Sequence, residues 1–154
     1  MTYEHSVSFN TGEYGNENLI LQETYLKEND EPSIKMKIEF YCKKYENNQY
    51  NKKYGECFMN KKEAETFLKI IENEKGEIEI NNNIKISVMP DNIKETYTSK
   101  PIQIIPGLLI SIKRFDSGYV YSAITTCNMA TIDMIYFYIS TWIENLQNAT
   151  EESE

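Results

Sequence analysis

The residues best suited to covalent chemistry in this chain are its single histidine, His5, and its three cysteines, Cys42, Cys57 and Cys127. A thiol activated by an imidazole can attack a carbonyl carbon, so Cys57 with His5 is the candidate nucleophilic pair. No motif links the two, and His5 falls in an alternating strand pattern where a packed or edge position accounts for it. The cysteines show no CxxC spacing, which indicates reduced, buried thiols and neither a zinc site nor a disulfide framework.

The remaining chemical motifs are absent from the sequence as well. It contains no glycine-rich phosphate loop and no cluster with metal-ligand spacing. Glu63 and Asp133 lie near the starts of predicted helices, where the helix dipole accounts for a carboxylate without catalysis. We therefore predict a non-enzymatic protein with no catalytic residue, no metal and no cofactor.

Lysines and tyrosines are concentrated between Lys35 and Lys62, where eight lysines stand against three glutamates. Cations that follow phosphates, with aromatic rings on which bases stack, are the means by which proteins hold single-stranded nucleic acid. The candidate residues for nucleic-acid or partner binding are Tyr41, Lys43, Lys44, Tyr45, Tyr50, Lys52, Lys53 and Tyr54. The alternative is an ordinary strand pair, whose lysines keep its edges from pairing with other chains.

The elements that must position these residues are a strand, a turn, a second strand and a helix. Ile34 to Cys42 alternates apolar with polar residues, and Tyr50 to Met59 resumes the pattern, which predicts a long antiparallel hairpin. Asn60 with Glu63 predicts a capping box at the start of a helix. The apolar stripe of that helix is predicted to be Ala64, Phe67, Leu68 and Ile71.

A basic aromatic hairpin that leads into a helix resembles the PC4 and Whirly type of single-strand-binding fold. In that fold a four-strand-plus-helix unit pairs with a second unit. The resemblance concerns topology, and it implies that both units would lie in this one chain.

The rest of the chain predicts the same order of elements again. Alternation and turn residues predict strands at Tyr3–Phe9 and Leu19–Lys27 before the hairpin. Beyond the first helix they predict strands at residues 77–80, 84–89, 102–105, 108–115 and 119–125, with a polar connection over 90–101 and a tight turn at 116–118. A second helix from about Met129 to Gln147 follows. An offset of 68 residues places Asn60 on Asn128 and aligns the two helical stripes, which suggests an internal repeat.

We therefore predict an α+β fold of mainly antiparallel sheet, either one curved sheet or two related sheets, with two amphipathic helices on one face. Residues 1–148 form one domain in this interpretation, with a repeat of 1–75 and 76–148, and 149–154 form a flexible acidic tail. The last helix is apolar around more than one face. This predicts either deep burial, or a partner or homodimer interface. The candidate interface residues are Tyr136, Phe137, Tyr138 and Trp142.

The net charge of −8 argues against a surface that binds a polyanion as a whole, because nucleic-acid affinity rests on cations placed against phosphates. In size and charge the chain is similar to immunity proteins that protect bacteria from nuclease toxins, and to phage proteins that block host defences. We predict a cytoplasmic protein that neutralises a protein partner such as a basic enzyme, with no membrane association, since complementary fields speed encounter. Single-stranded nucleic acid is the alternative partner.

Overall fold

The computed structural model describes residues 5–12, 15–26, 31–40, 55–95 and 103–152, which form two four-stranded antiparallel sheets and two helices. The first sheet and its helix comprise β1 (Ser6–Thr11), β2 (Glu17–Leu26), β3 (Glu31–Phe40), β4 (Glu56–Asn60) and α1 (Lys61–Asn73). The second sheet and its helix comprise β5 (Gly76–Glu79), β6 (Ile84–Glu95), β7 (Gln103–Asp116), β8 (Tyr119–Asn128) and α2 (Met129–Glu152). Strands neighbour one another in chain order within each sheet, and the predicted α+β fold is confirmed.

Each sheet turns one face to a core that both sheets and both helices share. In β3, Ile34, Met36 and Ile38 are buried, and Lys35 and Lys37 lie on the opposite face because side chains alternate along a strand. The stripes of both helices enter the same core. Its helical members are Ala64, Phe67, Leu68, Ile70, Ile71, Ile132, Ile135, Ile139, Trp142 and Ile143.

The two units match in strand register as well as in element order. Ser33 faces Asn60 across β3 and β4, and Gly107 faces Asn128 across β7 and β8. Both asparagines immediately precede a helix, so the two pairs mark equivalent places. From these anchors the buried residues coincide: Ile34 with Leu108, Met36 with Ile110, and Ile38 with Ile112.

The two helices begin in the same way. The Asn60 side chain accepts a hydrogen bond from the Glu63 amide at 2.8 Å, and the Glu63 carboxylate accepts one from the Asn60 amide at 2.9 Å, which confirms the predicted capping box. The Asn128 side chain accepts a hydrogen bond from the Thr131 amide at 2.8 Å. The offset of 68 residues therefore joins two residues that perform the same local task.

The predicted polar connection over residues 90–101 is wrong in its position. β6 continues through Pro90 to Glu95, and β7 is one strand that runs through Pro106, where two short strands were predicted. β5 pairs with β6 only as far as Val88, and β8 pairs with β7 only from Gly107 onward. Pro90 thus lies just past the end of the pairing with β5, and Pro106 just before the start of the pairing with β8. A missing amide donor is tolerated at such positions because no described strand accepts from it.

The β7–β8 hairpin has the predicted tight turn. Asp116 pairs with Tyr119, and the two residues between them, Ser117 and Gly118, have φ values of 49° and 83°. Positive φ at both central positions is the property of a type I′ turn, whose twist matches that of the flanking strands. The turn therefore fixes the register of the longest strand in the described residues.

The last helix is longer than predicted. α2 continues to Glu152, five residues beyond the predicted end at Gln147, and includes the first residues of the predicted tail. None of the helices in the described part of the chain is long and apolar enough to cross a membrane.

Candidate functional site

A groove of about 650 Å³ runs between β1 and α2. Among the described strands β1 pairs only with β2 and forms an edge of the first sheet, and α2 is the described element on its other side at this point. We call this feature the β1–α2 groove. Its lining residues are His5, Val7, Phe9, Glu23, Asp133, Met134, Phe137, Tyr138, Thr141 and Asn145.

His5 and Tyr138, which both line the groove, contact each other. Their rings stack with centroids 5.4 Å apart, and the Tyr138 hydroxyl donates to the His5 carbonyl oxygen at 2.8 Å. Burial, followed by the nearby Glu23 carboxylate, raises the pKa of Tyr138 to about 12. The hydroxyl therefore stays protonated near neutral pH and continues to donate this hydrogen bond.

The wall formed by α2 exposes two large apolar side chains. Phe137 is 71% exposed and Met134 is 51% exposed. The offset that aligns the two helices places Met134 on Thr66 and Phe137 on Lys69, and both α1 residues are exposed too. The same two positions therefore carry polar residues on α1 and apolar residues on α2. Because the fold accepts polar residues there, folding alone does not account for the apolar pair.

The charges in the groove are of one sign. Glu23 approaches from β2 and Asp133 from α2, and no lysine or arginine is among the described lining residues. Beside an apolar surface, these carboxylates favour a binding segment that carries a positive charge.

The four predicted interface residues of α2 do not share one face. Phe137 and Tyr138 line the β1–α2 groove, whereas Trp142 is buried in the core at 5% exposure. Tyr136 lies on a third side, where its hydroxyl donates to the Glu72 carboxylate of α1. That hydrogen bond is the main cause of a raised pKa for Tyr136. Aromatic content alone could not separate these directions, although the helical period could have separated Phe137 from Trp142.

The eight residues predicted to bind nucleic acid or a partner lie outside the described residues. They are Tyr41, Lys43, Lys44, Tyr45, Tyr50, Lys52, Lys53 and Tyr54. The strands on either side are β3 and β4, which pair as the predicted hairpin requires, with Ser33 opposite Asn60 and Lys37 opposite Glu56.

The candidate nucleophiles occupy unreactive surroundings. Cys57 and Cys127 are buried, and burial is the largest cause that raises the pKa of each thiol to about 12. Thiolate is the reactive form, so both thiols are poor nucleophiles near neutral pH. The ring of His5 contacts Tyr138, and Cys42 lies outside the described residues. Among the described residues no group of three potential metal ligands is found.

The outer faces of the sheets carry a second set of cations. Lys35 and Lys37 lie on the first sheet, and each pairs with a glutamate: Lys35 with Glu56 at 3.9 Å and Lys37 with Glu39 at 2.8 Å. On the second sheet the Lys85 ammonium lies 5.9 Å from the centre of the Phe115 ring. The first pair of lysines is therefore partly neutralised by its own sheet.

The chain matches no protein-family model, no curated protein and no solved structure.

Proposed function

We propose that this protein is an acidic binding protein that neutralises a protein partner, and that the β1–α2 groove is its binding site. The supporting observation is the exposed pair Met134 and Phe137, which stands where α1 carries Thr66 and Lys69. Burying a phenylalanine side chain against a partner contributes about 2 kcal/mol, roughly thirtyfold in Kd. The net charge of −8 adds attraction at a distance to a basic partner.

The proposal is tested by affinity capture with the purified protein immobilised and a nuclease-treated lysate of the organism that encodes it. Phe137→Lys should abolish capture of a basic protein, because it replaces the apolar anchor by the residue type that α1 carries at the equivalent position. Val120→Lys is the matched control, since Val120 is also exposed and lies on the β7–β8 hairpin. The captured protein is then assayed alone and with increasing amounts of the wild-type chain.

Neutralisation requires that the partner's own activity falls as wild type is added and is retained when Phe137→Lys is added. Capture that is equally strong for wild type and Phe137→Lys would show that the groove is not the binding site. Capture without any loss of the partner's activity would contradict neutralisation.

Single-stranded nucleic acid remains the second candidate, and one observation favours it. Four antiparallel strands followed by a helix occur twice, which is the arrangement expected from the PC4 and Whirly resemblance. The pairing of Lys35 and Lys37 with glutamates weighs against these two lysines as phosphate contacts.

The two candidates differ in their response to the predicted hairpin lysines. Fluorescence anisotropy with labelled oligo-dT and oligo-U at low and moderate salt measures the second candidate directly. Joint replacement of Lys43, Lys44, Lys52 and Lys53 by Glu should abolish nucleic-acid binding and leave capture of a protein partner intact. Salt-insensitive anisotropy, or no binding at low salt, would remove the nucleic-acid candidate.

A further inference from the structure

We infer that the β1–α2 groove accepts an extended segment of the partner, which adds to β1 as a further antiparallel or parallel strand and carries apolar side chains at alternate positions with a basic residue among them. This inference rests on the proposed function and specifies the form in which the partner is bound. It is carried by the backbone of β1, the lengths of the two walls of the groove and the comparison of the two units.

Within the described part of the chain, the backbone groups on the outer edge of β1 have no partner. The Glu23 amide donates to the His5 carbonyl at 3.0 Å, so the odd-numbered residues of β1 exchange hydrogen bonds with β2. The amides and carbonyls of Ser6, Ser8 and Asn10 therefore point away from β2, toward the open edge. Such an edge is a template for another strand.

The same edge already makes a strand-like contact at its far end. The Gly12 amide, which follows β1, donates to the Thr126 carbonyl of β8 at 2.9 Å. Next to it the hydroxyls of Thr11 and Thr125 lie 2.7 Å apart in a buried contact. β8 therefore occupies the edge at Gly12, and no described strand pairs with the edge from Ser6 to Asn10.

The wall formed by α2 is long enough to face the whole open edge of β1. The edge from Ser6 to Asn10 is four steps, about 13 Å long at about 3.3 Å per residue. On α2 the distance from Asp133 to Asn145 is about 18 Å at about 1.5 Å per residue. A strand placed beside β1 would direct every second side chain to the face of Val7 and Phe9, which is the face toward Met134 and Phe137.

In the other unit the space between the equivalent strand and its helix is filled. When the strands of the two sheets are superposed by their pairing register, Val7 of β1 falls on Gly76 of β5. The offset of 68 residues that aligns the two helices places Tyr138 on Ile70. A side chain at Gly76 would come within 3.0 Å of Ile70, so α1 packs directly on β5. At the first sheet a valine and a tyrosine stand at these two places, and the space between strand and helix is open. The two units therefore differ at this place: the first sheet has a groove between strand and helix, and the second sheet has direct packing.

Charge selects the occupant. Glu23 and Asp133 line the groove, so a lysine or arginine on the added strand would gain a partner, whereas an acidic segment would be repelled. Backbone hydrogen bonds give affinity in strand addition, and pockets for alternate side chains give specificity. We therefore expect an occupant with apolar residues at alternate positions and a net positive charge.

The probe for this inference is a displayed library of random dodecamer peptides, selected on the immobilised wild-type protein. Enriched peptides should alternate apolar residues and contain lysine or arginine. A synthetic enriched peptide should bind at least tenfold more weakly to Phe137→Lys and to Ser8→Pro, which removes one amide from the open edge. Ser8→Ala keeps that amide and should bind as wild type does, as should Val120→Lys.

Two further measurements do not depend on the folding of Ser8→Pro. The enriched peptide is made in two forms, N-methylated at its odd or at its even residues, and only the form that loses amides facing β1 should lose binding. In the wild-type protein, hydrogen exchange at the amides of Ser8 and Asn10 should slow when the unmodified peptide is added. Equal binding of both methylated forms, or unchanged exchange, would overturn strand addition.

The remaining outcomes separate this inference from the proposed function. Enriched peptides with apolar residues at helical spacing, or a library without any peptide that requires Phe137, would overturn the inference. A protein partner that is still captured through Phe137 would leave the proposed function standing. A homodimer in sedimentation experiments that Phe137→Lys dissociates would assign the groove to a second copy and overturn the inference as well.

Discussion

The Glu17 carboxylate, at the junction of the two sheets, destabilises the folded protein when it is charged. Glu17 begins β2, and burial is the larger cause of a raised pKa for its carboxyl, opposed by a hydrogen bond with Thr125. The Glu17 charge in turn contributes to the raised pKa of the Cys127 thiol, after burial. A carboxylate in this position is harder to ionise in the folded protein than in the unfolded chain, so it destabilises the fold once it is charged.

The pH dependence follows from the sign of that shift. Because the folded state binds the Glu17 proton more tightly, the destabilisation is absent below the ordinary pKa of 4.5, grows as the pH rises through the raised pKa, and is constant above it. Glu17→Gln should therefore raise the Tm at pH 7 and have little effect near pH 4. Thermal unfolding across this pH range measures the difference.

The control for Glu17→Gln is Glu144→Gln, which removes the same charge from an exposed position on α2. It should change stability by less than about 0.5 kcal/mol at either pH. A gain in Tm of the same size for both variants would mean that net charge, and not the surroundings of Glu17, is responsible.

At the scale of elements, local signals in the sequence located most strands and both helix starts. The alternation of Ile34, Met36 and Ile38 and the Asn60–Glu63 capping box depend only on neighbouring residues, so the pattern was sufficient. Pro90 and Pro106 were predicted to break strands, because the sequence does not show where an adjacent strand ends. Their tolerance depends on β5 and β8, whose ends relative to β6 and β7 are set by pairing across the sheet.

The β7–β8 turn gives a prediction in which two adjacent residues respond in opposite directions. Gly118→Ala should destabilise the protein by about 1 kcal/mol, because alanine is strained at positive φ although nothing lies near its added carbon. Ser117→Asn should stabilise it by a few tenths of a kcal/mol, since asparagine tolerates this conformation better than serine. Urea unfolding measures both. Equal destabilisation by both changes would contradict the type I′ assignment.

The candidate site was only partly accessible to prediction from the sequence. Phe137 and Tyr138 were identified from aromatic content, but the groove also requires His5 and Val7, which reach α2 only through the arrangement of the two sheets. The exposed Met134 points to a binding site only because Thr66, at the equivalent position on α1, shows that the fold accepts a polar residue there. That comparison needs the strand registers, because the sequence offset alone rested on helical spacing, which any two amphipathic helices share.

For the whole molecule, one core shared by both sheets predicts a single cooperative unfolding transition. Phe67 of α1 is fully buried, and the only tryptophan, Trp142, reports from α2. Phe67→Ala should lower the free energy of unfolding by about 3–5 kcal/mol and shift the transitions seen by Trp142 fluorescence and by far-UV circular dichroism together. Met134→Thr, on the exposed side of α2, is the control and should leave both midpoints close to those of wild type. A Trp142 transition that stays in place would show that the two units unfold independently.

The position of α2 along the chain has a consequence for synthesis on the ribosome. All eight described strands emerge before this helix, yet it supplies Ile132, Ile135, Ile139 and Trp142 to the core. Until those residues are translated, the nascent chain holds two sheets whose apolar faces are incompletely covered, a state in which chains associate non-specifically. A message that ends early, anywhere before the codon for Trp142, therefore yields a product for chaperones and proteases. We therefore expect the fate of a nascent copy of this protein to depend on the completion of α2.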